Sequence, residues 1–321
     1  MTSTMPIAAT ADSIARAAEL IRQGALIAFS TETVYGLGAD ATNDLAVASI
    51  FKAKRRPRFN PLIVHVASSE FAFQIGVFDD LSQKLCELFW PGALTLVVRR
   101  RKPSPLSELV SAGLDTVAIR QPSDRIARAL IEQAEVPVAA PSANRSGRIS
   151  PTTAQHVRDE LGSSVAMILD GGPCKRGLES TVVQIGDGSP RLLRAGSILT
   201  EDIEAITGTL GREENTDAPA SPGQLESHYA PYHQLRLDAH HVEDNEALLA
   251  FGPPLEGNAA TIRNLSPTGD LTEAAANFFA FLRELDNVNS AGIAVMSIPE
   301  EGMGEAINDR LRRASTAHRR S

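Results

Sequence analysis

The sequence predicts an α/β (α+β) fold built on a mixed β-sheet. Short apolar runs of strand length alternate with amphipathic segments of helical spacing over about the first 200 residues, a pattern typical of strands joined by helices. Runs of hydroxyl, amide and glycine residues follow several of these strands, and sheets of this class bind ligands at strand ends. With 321 residues, 43% of them hydrophobic, the chain is long enough for two cores.

The first domain is predicted over residues 1–207. It should begin with a helix over 11–23, capped by Thr10 or Asp12 and ended by Gly24. Asn43 should cap a second helix, whose predicted apolar face is Leu45, Val47, Ile50 and Phe51. Further helices are predicted near 80–90, 124–134 and 152–161. The predicted strands are 25–29, 62–66, 94–99, 117–120, 136–140, 166–169, 180–185 and 191–194.

After Ile206 the composition changes. Residues 208–233 are predicted to be an interdomain linker, since Gly, Thr, Glu, Pro and Ser replace the apolar periodicity there. Residues 234–321 should form a small α/β domain. Its predicted strands are 235–237, 260–262 and 293–298, and its predicted helices lie near 245–251, 271–285 and 303–313.

The charge is distributed unevenly along the chain. The formal net charge is −8, and residues 208–321 account for all of it, because residues 1–207 have 22 basic and 22 acidic side chains. A protein that coats nucleic acid by bulk charge is therefore excluded. Five cations nevertheless fall within residues 52–58. A helix C-terminus explains one or two of them, and the whole group is suited to a small polyanion such as a triphosphate.

Three further segments are candidates for binding. Residues 30–38 combine hydroxyls, a carboxylate and two glycines after a strand; they are either a ligand site or a turn stabilised by its own Ser and Thr side chains. Residues 140–152 could hold phosphate or carboxylate oxygens, with helix capping by Ser150 as an alternative. Residues 170–181 form a glycine-rich loop between two strands. His65 lies in a strand, where a structural role is the common one.

Patterns for nucleophilic or metal catalysis are missing from the sequence. It contains no G-x-S-x-G elbow, no phosphate-binding G-x-x-x-x-G-K-S/T loop and no H-E-x-x-H. Two cysteines suffice neither for a disulfide framework nor for a four-ligand zinc site. We therefore expect chemistry by positioning and charge neutralisation. A secretory signal and a spanning apolar segment are also missing, so a cytoplasmic protein without membrane contact is expected.

Five motifs in this order resemble the YrdC-like family, in particular its long two-domain threonylcarbamoyl-AMP synthases. They are T-E-T-V-Y-G-L-G at 31–38, K-x-R-P-x-x-N-P-L-I-V-H at 54–65, P-S-A-N-x-S-G at 141–147 followed by S-P-T at 150–152, G-x-E-S-T-V-V at 177–183 and L-R-x-G at 193–196. A sixth, S-P-G-x-x-x-x-H-Y-A-P at 221–231, resembles the signature that joins the two domains of the long form. Ser30, Arg55 and Ala195 depart from the family pattern, and Arg55 stands where glycine is common.

The resemblance implies a twisted mixed sheet with a large concave cavity, followed by a small Rossmann-like domain. It also implies the synthesis of threonylcarbamoyl-adenylate from L-threonine, bicarbonate and ATP, with Mg²⁺ on the nucleotide rather than in a protein metal site. The implied catalytic residues are Lys54, Arg56, Ser142 and Asn144. The implied ATP contacts are Arg56, Asn60, Thr116, Ser142, Ser150, Arg194 and either Tyr232 or Tyr229. The implied threonine contacts are Thr33, His65, Arg120, Ala140 and Ser180.

The implied downstream partner is a transferase that modifies tRNA, with weak or indirect contact between tRNA and this chain. One alternative is a non-catalytic module that binds RNA in the same basic cavity. A weaker one is a related carbamoyl-adenylate enzyme of hydrogenase maturation, which we expect to need acylphosphatase and zinc-finger segments that this sequence does not show.

Overall fold

The computed structural model describes residues 3–186, 188–212, 221 and 228–316. In this part of the chain the first domain is built on one sheet. Its strands are β1 (Pro6–Ala8), β2 (Ile27–Phe29), β3 (Gly36–Asp40), β4 (Ile63–His65), β5 (Gly76–Val77), β6 (Leu94–Arg100), β7 (Thr116–Arg120), β8 (Val138–Ala139), β9 (Met167–Asp170), β10 (Thr181–Gln184), β11 (Arg191–Arg194) and β12 (Gly211–Arg212). Their order is β1–β9–β2–β3–β8–β4–β7–β6–β10–β11–β12, with β5 beside β6. Because β4 and β7 are parallel while β6 and β7 are antiparallel, the predicted mixed sheet is confirmed.

Seven helices accompany this sheet in the described residues. They are α1 (Ala11–Arg22), α2 (Asp44–Lys54), α3 (Ser69–Ile75), α4 (Asp80–Phe89), α5 (Arg125–Ala134), α6 (Ala154–Leu161) and α7 (Thr200–Thr207). Thr10 caps α1 and Asn43 caps α2 through side-chain oxygens that accept backbone N–H groups, as the sequence predicts. Leu45 is 81% exposed, so its predicted place on the apolar face of α2 is wrong; the buried face begins one residue later, at Ala46.

The second domain is a smaller α/β unit. It contains strands β13 (Leu235–Arg236), β14 (Glu246–Ala250), β15 (Ile262–Asn264) and β16 (Gly292–Val295), and helices α8 (Leu271–Asp286) and α9 (Met303–Thr316). All of its strand pairs are parallel, in the order β13–β16–β14–β15. The helix predicted near 245–251 is wrong. Helix-forming residues there form an interior strand that is buried along its whole length, so tertiary packing overrides local propensity.

Several elements were not predicted from the sequence, among them β1, β3, α3, α7 and β12. β3 occupies the second half of the predicted 30–38 loop. Its glycines serve strand packing, since a Cβ on Gly38 would lie 2.7 Å from the Phe29 ring and 2.9 Å from Val138. β12 extends the first sheet into the stretch predicted as linker. The rest of that stretch up to residue 227, apart from Ser221, lies outside the described residues, as do Pro222 and Gly223 of the joining motif.

The two domains share a hydrophobic core. The core cluster of the second domain includes Val34, Ile149 and Leu178 from the first domain, together with Tyr229 and Phe279. The two sheets are thus held together by apolar packing as well as by ion pairs. None of the described helices is long and apolar enough to cross a membrane.

Candidate active site

An open cavity lies on one face of the first sheet beside the second domain. Many of the residues that the sequence analysis selected line it: Thr33, Arg56, His65, Arg120, Ala140, Ser142, Ser180, Arg194 and Tyr229. Glu179, His228, Thr31 and the apolar Val34 and Ile63 complete much of the wall. No site role was predicted for these five, although all of them lie within the motifs quoted above.

Strand register explains why β4 and β7 contribute to one wall. Ile63 pairs with Ala118, and His65 pairs with Arg120. Directly paired residues project to the same face of a sheet, so the imidazole and the guanidinium both face the cavity. Burial, and then the nearby Arg120 charge, lower the pKa of His65 to about 3. The imidazole is therefore neutral at physiological pH and offers hydrogen bonds rather than charge.

The loop after β2 is both a self-stabilised turn and part of the site. The Thr31 hydroxyl donates to the Val34 carbonyl at 2.6 Å and accepts the Val34 N–H at 3.2 Å. Thr33 faces the cavity and accepts from Arg120 Nη1 at 3.0 Å. The turn stabilised by its own side chains is therefore confirmed at Thr31, while ligand binding by the neighbouring Thr33 stays a prediction.

Arg120 is held from three sides. It donates to the Gly92 carbonyl, to Thr33 and to Glu32 Oε1, the last at 2.6 Å. Burial alone would raise the pKa of Glu32, but the Arg120 charge and hydrogen bond outweigh burial and lower this pKa to about 2. The pair is buried and neutral as a unit, so it fixes geometry without adding net charge to the cavity.

The five cations of residues 52–58 do not form one cluster. Lys52, Arg55 and Arg58 are exposed, whereas Lys54 and Arg56 are buried. Arg55 has φ +53 at the end of α2, a left-handed conformation that costs energy for any residue with a Cβ. Glycine, which is common at this position in the family pattern, adopts this conformation at lower cost. The turn makes Lys54 and Arg56 point inward on either side of it.

Lys54 and Arg56 have different neighbours. Lys54 Nζ donates to the backbone carbonyls of Ser142, at 2.5 Å, and of Asn144, so it lies behind the cavity wall and holds the 142–144 loop. Arg56 lines the cavity and donates to Asn60 Oδ1 at 2.6 Å and to the Pro61 carbonyl at 2.8 Å. Burial lowers the pKa of both side chains, that of Arg56 to about 9, with a further contribution from Arg194. Arg56 therefore stays charged at neutral pH.

The Gly-x-Glu-Ser-Thr motif forms the opposite wall. A Cβ on Gly177, which has φ +70, would lie 2.3 Å from the Ala275 carbonyl oxygen and 2.4 Å from that of Ala276. This glycine thus allows the loop to lie directly on the backbone of α8. Ser180 accepts a hydrogen bond from Arg194 Nη2 at 3.1 Å and contacts Thr95 Oγ1 at 2.7 Å, so its hydroxyl is fixed at the cavity edge.

Two aromatic rings near the end of the predicted linker close the cavity on the side of the second domain. The rings of His228 and Tyr229 are 4.0 Å apart, and Tyr229 also packs 5.5 Å from the Phe279 ring. Burial, and then the nearby Arg56 and Lys54, lower the pKa of His228 well below its usual value. His228 is therefore neutral, and these rings form an uncharged side of an otherwise cationic cavity.

Six residues selected from the sequence lie outside the lining. Lys54 and Asn60 support the 142–144 loop and Arg56, as described, and Asn144 Nδ2 donates to the carbonyls of Arg145 and Arg148. Ser150 is buried and donates to Glu179 Oε1 at 2.6 Å. Thr116 lies at the opposite end of β7 from Arg120, in a separate depression with Arg99 and Arg191. Tyr232 is 77% exposed, with its ring against Arg148.

Comparisons with known proteins agree with this architecture. A family model named Sua5–YciO–YrdC and described as "Telomere recombination" matches residues 19–196. A second model, described as "Threonylcarbamoyl-AMP synthase, C-terminal domain", matches residues 198–316.

Full-length relatives extend the match over nearly the whole chain. The threonylcarbamoyl-AMP synthase of Bacillus subtilis (strain 168) is 41% identical, with 94% of this chain and 92% of the relative covered. That of Pyrococcus abyssi is 38% identical, with 93% of each covered. The crystal structure of P. abyssi Sua5 complexed with L-threonine superposes with a TM-score of 0.89 at 36% identity, covering 96% of this chain and 95% of that one. The chain therefore belongs to the threonylcarbamoyl-AMP synthase family, in its two-domain form.

Proposed function

We propose that this enzyme makes L-threonylcarbamoyl-adenylate from L-threonine, bicarbonate and ATP, with release of pyrophosphate. The observation that supports this proposal most directly is the charge of the cavity. Arg56 is buried there beside Arg194, and within the described residues its hydrogen-bond partners are neutral oxygens of Asn60 and Pro61. A buried charge without a counter-charge is costly, so a cavity of this kind is suited to an anionic substrate.

The threonine end of the cavity is proposed to be the group Thr33, His65, Arg120, Ala140 and Ser180. The P. abyssi relative has been crystallised with L-threonine, which makes this amino acid the first candidate for this chain. Arg120 is already neutralised by Glu32, so it is suited to orient Thr33 and the substrate. Neutral His65, whose Nδ1 has no partner in the described residues, can hydrogen-bond the substrate without repelling its ammonium group.

The proposed chemistry needs no protein nucleophile. The amine of threonine attacks the carbon of bicarbonate and water leaves, which gives an N-carboxylate. A carboxylate oxygen then attacks the α-phosphorus of ATP, and the bond from that phosphorus to the bridging oxygen of pyrophosphate breaks. Catalysis of such a step depends on positioning and on stabilising the developing negative charge.

The phosphate end is proposed to be Arg56, Ser142 and Arg194. Both guanidiniums can donate charge-assisted hydrogen bonds to phosphate oxygens, and charge on the leaving pyrophosphate develops beside them. Lys54, Asn60, Asn144 and Ser150 then act by positioning, since their polar atoms hold the wall rather than face the cavity. The geometry favours Tyr229 over Tyr232 as the tyrosine beside the nucleotide. For Thr116, a nucleotide contact stays a prediction from the resemblance.

Mg²⁺ is proposed to enter with ATP. In the part of the chain that the structure describes, no group of three His, Cys, Asp or Glu side chains could hold a metal ion. Glu179, which lines the cavity, is already engaged by Arg310, and Glu32, which lies behind Arg120, is engaged by that arginine. A magnesium ion held mainly by phosphate oxygens and water fits this donor set. When bound, it supplies further neutralisation of the pyrophosphate.

The direct test is an assay with the purified protein, ATP, Mg²⁺, L-threonine and radiolabelled bicarbonate. We expect pyrophosphate release that depends on threonine, together with transfer of label into an adenylate. Omission of threonine and omission of bicarbonate are the matched controls. Pyrophosphate release that is indifferent to threonine, or salt-sensitive RNA binding without turnover, would contradict the proposal. The product is an activated acyl adenylate, so a transferase acting on tRNA is the expected consumer.

A further inference from the structure

Arg310 of helix α9 reaches from the second domain to the wall of the cavity. It is 0% exposed. Its Nε and Nη2 both donate to Glu179 Oε2 at 3.2 Å, and its Nη1 donates to the Ala195 carbonyl at 2.6 Å. A fully buried arginine engaged in this way has a single accessible geometry, so it fixes the residues that it contacts.

Glu179 transmits this contact to the site. It lines the cavity, and its two carboxylate oxygens have different partners: Oε1 accepts from Ser150 and Oε2 from Arg310. Its backbone carbonyl accepts from Ser197 N at 3.0 Å. The next residue in the chain is Ser180, at the proposed threonine end. A shift of Glu179 would therefore disturb Ser150 in the wall and Ser180 at the cavity edge.

A carboxylate in this wall disfavours the binding of anions. Glu179 is 6% exposed, and a buried, unpaired carboxylate would repel phosphate and carboxylate groups strongly. Arg310 forms an ion pair with Glu179 and another with its neighbour Asp309. Without Arg310, the negative charge of Glu179 would offset the positive charge of Arg56 and Arg194 and so weaken their attraction for an anionic substrate.

We propose that Arg310 is a positioning residue of the active site, which neutralises Glu179 and fixes it so that Ser150 keeps its place in the wall and Ser180 its place at the cavity edge. This inference rests on the function proposed above. It gives the second domain a direct part in catalysis, since one of its side chains completes the electrostatics of a cavity formed mainly by the first domain.

The test measures pyrophosphate release by Arg310→Met and asks whether a second substitution at Glu179 restores the lost activity. Arg310→Met should raise the KM for ATP and lower kcat/KM on the order of 10²-fold, because it leaves a buried unpaired carboxylate. Arg310→Met combined with Glu179→Gln should recover at least about tenfold of that loss, since the glutamine Oε1 still accepts from Ser150 while the charge is gone. Arg312→Met, on the same helix but in an exposed pair with Glu300, is the matched control.

The outcomes separate the alternatives. A purely structural role for Arg310 lowers the fraction of active protein, and so kcat, without changing KM; that result, or a double variant no better than Arg310→Met, overturns the inference. If Arg310→Met does not fold, Arg310→Gln removes the charge while keeping an amide donor, and an unchanged KM for ATP in this variant also overturns the inference. A wild-type protein without threonine-dependent turnover contradicts the proposed function. An active wild type with unaffected variants contradicts only this inference.

Discussion

The two walls of the cavity are held in different ways. The inner wall, residues 31–33, 54–65 and 120, makes its polar contacts within the first domain: Arg56 with Asn60, and Arg120 with Glu32. The braced wall, residues 177–180, lies on helix α8 and is paired through Glu179 with Arg310 of α9.

This difference separates two demands on the site. The inner wall supplies a cation that has no carboxylate partner among the described residues, and its local contacts are sufficient to hold that cation in place. The braced wall contains a carboxylate, which the second domain neutralises. Substitutions in the inner wall should therefore affect chemistry or first-domain stability, whereas substitutions in the braced wall should affect the coupling between domains.

The largest expected effect is at Arg56. Arg56→Ala removes the buried cation of the inner wall, and we expect kcat/KM for ATP to fall about 10² to 10³-fold, the usual result of removing an electrostatic partner of the transition state. Arg58→Ala, an exposed cation of the same segment, should change kcat/KM by no more than about twofold. Equal losses in both variants would show that the segment acts through overall charge, and the division into inward and outward cations would fail.

The second effect is the pH dependence of the Glu32–Arg120 pair. The pKa of Glu32 is lowered from 4.5 to about 2 in the folded protein, so the pair stabilises the fold above pH 4.5, and this contribution is lost as the pH falls through about 2. A shift of this size corresponds to about 3 kcal/mol.

Urea unfolding measured from pH 7 to pH 2.5 tests this for the wild type and Glu32→Gln. The difference in the free energy of unfolding should shrink as the pH falls. Glu132→Gln, in an exposed pair with Arg128, serves as the control and should leave the pH dependence unchanged. If the difference in unfolding free energy between the wild type and Glu32→Gln stays constant down to pH 2.5, it does not come from the charge of Glu32.

The third effect concerns Gly177, the residue at which the braced wall packs against helix α8. Gly177→Ala and Gly172→Ala both place a Cβ at positive φ, but position 172 has open space whereas position 177 faces the α8 carbonyls. We expect Gly172→Ala to lower the free energy of unfolding by about 1 kcal/mol. Gly177→Ala should lower it by about 1 to 3 kcal/mol more, because the two domains must separate to make room for the methyl group. Calorimetry should resolve two unfolding transitions only for Gly177→Ala. Equal losses of unfolding free energy in the two variants would show that the close contact between Gly177 and helix α8 does not contribute to the effect.

The smallest effect is at the turn of the inner wall. Arg55→Gly relieves a left-handed residue at the end of α2 and should raise the free energy of unfolding by about 1 kcal/mol, with kcat/KM unchanged because Arg55 is exposed. Arg55→Ala, which keeps the Cβ, is the control and should give no gain. If both variants stabilise equally, removal of charge rather than backbone strain is responsible.

Local signals predicted much of the fold. The caps Thr10 and Asn43 and the β-rich first domain follow from residue type and spacing. The interior strand β14 could not be predicted in this way, because residues 246–250 have helix-forming side chains and become a strand only through two parallel neighbours. Short strands such as β8, with two residues, leave almost no local pattern.

The site shows the same limit. Motif residues identified most of the cavity lining, but they did not show which of five neighbouring cations point inward. That depends on carbonyls 88 and 90 positions away, which hold Lys54. The partner of Glu179 is 131 positions away, in a region where the resemblance extends only to position and general pattern. Long-range partners of this kind follow from packing of the two domains.

The shared core has a consequence for producing the protein in pieces. Val34, Ile149 and Leu178 are among the buried residues of the second domain's cluster, although they belong to the first domain. A first domain expressed alone would expose these apolar side chains to water, and one of them, Val34, lines its cavity. Exposed apolar patches promote self-association. By covering these residues, the second domain should therefore keep the first domain soluble.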